Sequence, residues 1–403
     1  MPSASFAGHA FTHAGNMPTQ QRRGHATLAA NMRCARAPGI RRKTFRSGAP
    51  YGKLSRFVRA LHVRTKGNVV QPLKMQPVFK ERVWGGRRLA DLLGKALPPD
   101  LRIGESWELA DHPHGRSLVA EGPMAGKTLR WVLERHGAAV LGRDEFQRGG
   151  AARFGILVKF IDASDRLSVQ VHPDDAYAGA HYAGESGKTE CWTVMHADPG
   201  AWLIHGLKPG VTRAGFASAL KNGKVEELLA VRPVNAGDFI WVPAGTVHAL
   251  GPGVVMAEVQ QNSDVTYRVY DWNRKGLDGK PRELQVREAL ETIRFSGEQA
   301  PAGGRGKTAD ETGLLIDHLA DCHAFSLARI QLDRRPWAAD TDGGYVVLVV
   351  LSGVARLVTA EANMAIRAGD TILVPADAQE YALEQPRKLT VLAAAPPGKA
   401  PAQ

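Results

Sequence analysis

Three cysteines in 403 residues, Cys34, Cys191 and Cys322, stand far apart and form no CxxC pair, which excludes a disulfide framework and a zinc ribbon. The same scarcity fits a reducing, cytoplasmic location. Long hydrophobic runs are missing as well. One of the longest, residues 345–351, falls far short of the roughly 20 residues that a membrane-spanning helix needs, so no membrane partner is expected. Acid is absent from the first 80 positions, where 15 Lys and Arg precede the first acidic residue, Glu81. That stretch alone explains the formal net charge of +12, because from Glu81 onward 37 basic side chains meet 40 acidic ones. A partner selected by bulk positive charge, nucleic acid above all, is therefore not expected of the folded body.

Residues 1–74 form a basic leader rich in Arg, Ala and Gly, with no hydrophobic period and no apolar core of an export signal. Its composition fits a disordered tail, a transit-like segment or sequence read from a misassigned start. Ordered texture is expected from Met75. Helical spacing is read at 88–93, 128–141, 213–229 and 283–292, with Gly137 a weak point in the second. Short runs rich in Val, Ile, Phe and Trp at 154–161, 167–172, 191–195, 201–204, 238–242 and 254–260 read as strands of a barrel or sandwich. A Gly/Pro/Ala-rich linker is read at 296–312, and 313–403 carries further strands at 323–332, 345–351, 355–359, 371–374 and 389–394.

The two sets of strands share a repeat. Residues 236–250, beginning Ala-Gly-Asp-Phe-Ile-Trp-Val-Pro-Ala, align without gaps to 368–382, beginning Ala-Gly-Asp-Thr-Ile-Leu-Val-Pro-Ala. Two copies of one small β-barrel unit are expected, with Glu380 in the second where the first has His248. The first copy, Gly237-x5-Pro243-x-Gly245-x2-His248, fits the second motif of a cupin barrel, in which the His binds metal. Upstream, Gln170 and His172 sit two apart on a strand and share a face, and Lys188-Thr-Glu190 opens another strand. Two imidazoles, a carboxylate and an amide suit Zn²⁺, with Mn²⁺, Fe²⁺ and Co²⁺ as alternatives. The polar stretch 260–272 contains Arg268, a cation suited to a phosphate or an oxyanion. His112, His114, His181, His196 and His205 are read as surface or hydrogen-bonded residues.

These motifs resemble the type I phosphomannose isomerases of the short bacterial form, a cupin family. The matching stretches are Pro77-Val-Phe-Lys-Glu-Arg-Val-Trp-Gly-Gly, Ala110-Asp-His-Pro-His-Gly, Ser168-Val-Gln-Val-His-Pro-Asp-Asp, Gly187-Lys-Thr-Glu-Cys-Trp, Pro243-Ala-Gly-Thr-Val-His and Thr266-Tyr-Arg-Val-Tyr-Asp. The resemblance implies a mainly β fold of two jelly-roll barrels with a few helices. The first, at 75–295, would be catalytic and metal-binding, and the second, at 313–403, vestigial and metal-free. It also implies one Zn²⁺ per chain on Gln170, His172, Glu190 and His248, catalytic roles for Arg268 and Lys188, and Ser168 and Lys159 in the substrate pocket. The implied reaction interconverts D-mannose 6-phosphate and D-fructose 6-phosphate through a cis-enediol(ate), in a monomer or weak homodimer whose partner is a small sugar phosphate. Glu190, Lys188 and a metal-bound hydroxide are all open as the base. The alternatives are a metal-dependent cupin dioxygenase, disfavoured by the cationic, polar stretch, and a non-catalytic sugar-binding cupin protein.

Overall fold

The short apolar runs between Pro and Gly turns are strands, and they pair antiparallel. The computed structural model describes residues 69–149, 154–295, 303–309 and 313–399. The leader through residue 68, with Cys34, and linker residues 296–302 and 310–312 lie outside the described residues. Mainly β architecture with a few helices is what forms.

A six-stranded sheet runs in the order Phe239–Val242, Glu190–Ala197, Val254–Gln261, Ile156–Ala163, Ile103–Leu109, Val78–Gly86. A five-stranded sheet runs Leu229–Pro233, Trp202–Leu207, His248–Leu250, Val169–Val171, Tyr267–Tyr270. The C-terminal strands make a third sheet centred on Val346–Val358 and Glu380–Ala395.

Strands Ile156–Ala163 and Val254–Gln261 are buried at every position, and alternation divides their side chains between two jobs. Ile156, Val158, Phe160, Val255, Ala257 and Val259 join Tyr345, Val347, Val349 and Leu392 of the C-terminal sheet in one apolar core. The intervening positions face the other way, where Ile161, Val254 and Met256 form a second core with Trp192 and Leu203. Each fully buried aliphatic side chain there contributes about 1.5–3 kcal/mol. Lys159 and Glu258 also lie on this second face, the side that meets the five-stranded sheet.

Several boundaries differ from the sequence reading. Strand Leu73–Gln76 begins inside the segment assigned to the leader; it pairs with Thr371–Val374 on one side and Leu118–Val119 on the other. Gly303–Ala309, within the expected linker, is a strand paired to Leu315–Asp321, because ladder bonds use the backbone and tolerate a glycine-rich composition. The helix read at 213–229 is a helix Arg213–Lys221 followed by a 3-10 turn Val225–Leu228, since Asn222-Gly223 closes the first segment. Helix Leu129–Leu141 survives Gly137 with a bend at His136, where the Phe146 ring packs against the missing side chain. Thr128 caps it by accepting the Trp131 N–H at 3.1 Å. No helix among the described residues is long and apolar enough to cross a membrane.

Candidate metal centre and active site

Strand register assembles the site. In the five-stranded sheet Arg268 pairs with Gln170, Gln170 with His248 and His248 with His205, so these residues stand in one lateral row. In the six-stranded sheet Glu190 starts its strand opposite Val242, and Glu258 pairs with both Trp192 and Lys159. Where the sheets meet, ligand atoms of His172, Glu190 and His248 lie within 4.8 Å of one another. All three side chains are buried.

Hydrogen bonds fix both ring tautomers. His172 Nδ1–H donates to Val265 O at 2.9 Å and His248 Nδ1–H to Thr246 O at 2.8 Å, which leaves each Nε2 as an acceptor. Those lone pairs face Glu190: His172 Nε2 is 3.6 Å from Oε2 and His248 Nε2 3.4 Å from Oε1. Burial holds the His172 pKa well below 6.5 and lowers that of His248 to about 3, so both rings are neutral. Burial, then repulsion from Glu258, raises the Glu190 pKa to about 7. The Lys188 ammonium lies 3.2 Å from Glu190 Oε2 and 3.0 Å from His172 Nε2, yet neither Glu190 oxygen receives a well-directed hydrogen bond. Two converging imidazole lone pairs and a buried carboxylate with no well-directed hydrogen bond are a donor set that fits a divalent cation. Gln170 stands beside them, with its amide nitrogen 3.2 Å from His248 Nε2. For its oxygen to ligate, the amide must turn over.

A cleft of about 590 Å³ opens onto this cluster, lined by Gln170, Lys188, Lys159, Ser168 and Arg268 among others. The sequence-predicted residues are thus brought together, with His172, Glu190 and His248 buried beside the cleft. Arg268 donates to Ser168 Oγ at 3.2 Å and to Glu283 O at 3.1 Å, and among the described residues it has no ion pair. The nearby acids are taken by other groups: Asp271 is held by Arg274 and Arg282, and Asp264 lies 2.8 Å from His114 Nδ1. Burial and the nearby Arg282 lower the Arg268 pKa.

The sequence reading missed the cleft's charge ladder. Lys159 pairs with Glu258 at 2.9 Å, Trp192 donates to Glu258 at 3.0 Å, and Arg82 pairs with Glu105 at 2.7 Å. Burial works against both the Glu105 carboxylate and the Lys159 ammonium, but Arg82 and Lys159 hold the Glu105 pKa down to about 2, and Glu258 and Glu105 raise that of Lys159. A single acid in the otherwise apolar Val254–Val259 run was the available signal for Glu258.

His112, His114, His181, His196 and His205 are each hydrogen-bonded. His112 and His114 gather with Asp264, but His112 Nδ1 accepts the His114 N–H and Nε2 faces Glu185, so its ring is already engaged.

Residues 72–201 match a family described as phosphomannose isomerase type I, catalytic domain. Mannose-6-phosphate isomerase ManA of Bacillus subtilis (strain 168) is 38% identical over 317 residues, covering 78% of this chain and 96% of the relative. Mannose-6-phosphate isomerase of Streptococcus mutans is 35% identical over 307 residues, covering 76% of this chain and 93% of the relative. The crystal structure of mannose 6-phosphate isomerase from Bacillus subtilis superposes with a TM-score of 0.74 at 32% identity, over 81% of this chain and 99% of that one. Over nearly the full length of these relatives, then, the chain belongs to the type I phosphomannose isomerase family.

Proposed function

We propose that the chain interconverts D-mannose 6-phosphate and D-fructose 6-phosphate through a cis-enediol(ate), with its chemistry in residues 75–295. The observation that carries this reading is the juxtaposition of two features: the His172–Glu190–His248 cluster, buried beside the cleft, and an Arg268 guanidinium that lines the cleft and has no carboxylate partner among the described residues. A neutral or apolar substrate would leave that half-buried cation unmatched; a sugar phosphate supplies its anion.

Aldose–ketose exchange moves a proton between C2 and C1 while negative charge builds on the two sugar oxygens. His172, Glu190, His248 and a turned-over Gln170 would hold a divalent cation, Zn²⁺ by its liking for imidazole and carboxylate donors. When bound, that cation supplies Lewis-acid stabilisation of the charge on the sugar oxygens. Arg268, steadied by Ser168 and Glu283, binds the anion and fixes the sugar along the cleft. Lys188, placed between His172 and Glu190, donates to the oxygen that gains charge. Lys159 and Glu258 neutralise each other on the wall and present hydrogen-bonding groups to the hydroxyls.

The test is a coupled assay with mannose 6-phosphate and, beside it, glucose 6-phosphate, together with metal analysis of the same sample. Turnover of mannose 6-phosphate, abolished by a chelator and restored by Zn²⁺, is expected. A metal-loaded sample that leaves mannose 6-phosphate unconverted overturns the reading.

A further inference from the structure

Lys188 and Glu190 reach the site from residues 187–190, of which only Glu190 lies in a strand. Each N–H ahead of Glu190 is held individually. Gly187 N–H donates to Asp175 Oδ1 at 2.9 Å, Lys188 N–H to Pro173 O at 2.9 Å, and Thr189 N–H to Gln261 Oε1 at 2.8 Å. Gln261 is itself oriented by donating from Nε2 to the same Asp175 Oδ1 at 2.9 Å. Two of the three anchors therefore lead back to one carboxylate. Packing reinforces this: a Cβ on Gly187 would stand 2.5 Å from both Asp174 C and Asp175 N, so the segment lies directly on that backbone.

Asp175 is not explained as a helix cap, because Asp174 holds that position and accepts the Tyr177 N–H at 2.9 Å. Nor does it line the cleft. Its second oxygen, Oδ2, accepts from His323 Nε2 at 2.9 Å, and His323 belongs to the turn between strands Leu315–Asp321 and Ser326–Leu332 of the C-terminal sheet.

Resting on the isomerase reading, we propose that Asp175 is the positioning residue for Lys188 and Glu190, and that the C-terminal domain acts on the site through the His323–Asp175 contact. Groups that orient metal ligands and proton donors act on turnover, because sub-ångström misplacement at the reacting atoms is costly. Phosphate recognition by Arg268 and Ser168 is anchored elsewhere, so it should be spared.

The experiment uses the full chain and three variants. Asp175→Ala is expected to lower kcat about 10-fold while KM for mannose 6-phosphate stays within about two-fold. Asp175→Asn keeps an oxygen acceptor for Gly187 N–H and Gln261, and is expected to recover most of the loss. His323→Ala leaves Asp175 in place but untethered on an exposed side, and should cost about two-fold. Amide hydrogen exchange of the metal-free proteins supplies a readout independent of catalysis: residues 187–190 should exchange about 10-fold faster in Asp175→Ala than in the parent. If the parent fails to turn over mannose 6-phosphate, the isomerase reading falls while the exchange data still decide the role of Asp175. Unchanged kcat and exchange in folded Asp175→Ala, or a defect confined to KM, overturns the proposal.

Discussion

In residues 236–250 and in residues 368–382 the same Ala-Gly-Asp turn opens a strand. Gly237 and Gly369 both adopt left-handed φ, 95° and 88°, which a side chain would disfavour. Their N–H groups donate to Val194 O and Val350 O at 2.8 and 2.9 Å, and Val194 and Val350 donate back to Asp238 O and Asp370 O. Asp238 and Asp370 each accept a backbone N–H from three residues earlier, Asn235 at 3.0 Å and Arg367 at 2.9 Å. After the shared proline the copies part. The first places its left-handed residue at Gly245 and delivers His248 to the cluster; the second turns through Ala376–Ala378, places its left-handed residue at Gln379 and delivers Glu380. Around the first stand Gln170, Lys188 and Glu190, whereas the second barrel's core is Ile330, Leu348, Val350, Val391 and other aliphatics. Identical turn chemistry builds the frame in both, and the residues pointing inward decide whether the frame is a site or a core.

The largest effect should come from removing what the first copy holds and the second lacks. His248→Ala or Glu190→Ala should lose bound metal and at least about 1,000-fold in kcat together, since several kcal/mol of charge stabilisation go with the cation. Elemental analysis and steady-state kinetics on the same preparation check this; a variant that keeps its activity without metal breaks the comparison. Arg268→Ala, on the strand beside Gln170, should keep its metal and lose about 100-fold in kcat/KM, because the anchor for the substrate's anion is gone. Full activity would remove Arg268 from the mechanism.

How much of this was legible beforehand differed by the kind of information required. The Gly-Asp turns, the His248 motif and the Gln170/His172 alternation are local, and the structure sets Gln170 and His172 beside His248. Glu190 and Lys188 could be named from their motif, but the pairing that brings them to His172 is not local. Glu258, Glu105 and Arg82 were missed because a charge in a hydrophobic run gains meaning only when its partner on another strand is known: Lys159 answers Glu258 across 99 residues of chain. The strands at 73–76 and 303–309 were missed for a related reason, since ladder bonds leave no mark in composition.

The two copies are also tied to each other. Lys95, nearly buried, donates to Glu108 Oε2 at 2.6 Å and to Gly369 O at 2.6 Å, joining the six-stranded sheet to the second copy's turn. Lys95→Met strands the fully buried Glu108 and should cost about 2 kcal/mol in urea unfolding, after discounting for the partial exposure of the lysine. The pH dependence has a definite sign. Burial already raises the Glu108 pKa above 4.5, and losing Lys95 raises it further. The ionised form is then disfavoured in the folded state, so the deficit is largest at neutral pH and shrinks as pH falls toward 4.5. A deficit that grew on acidification would mean that Glu108 is not the stranded group.

The smallest effect should come from restoring the first copy's residue to the second. Glu380→His places an imidazole where the alignment puts His248, but its strand partner is Asp340, and the adjacent core offers aliphatic side chains in place of a second imidazole and a buried carboxylate. A lone histidine beside one surface acid is too few donors for a closed divalent site. Metal content per chain should therefore match the parent, and stability should change by no more than about 0.5 kcal/mol. An added equivalent of tightly bound Zn²⁺ in this variant would show that the turn, rather than its inward-facing neighbours, specifies the site.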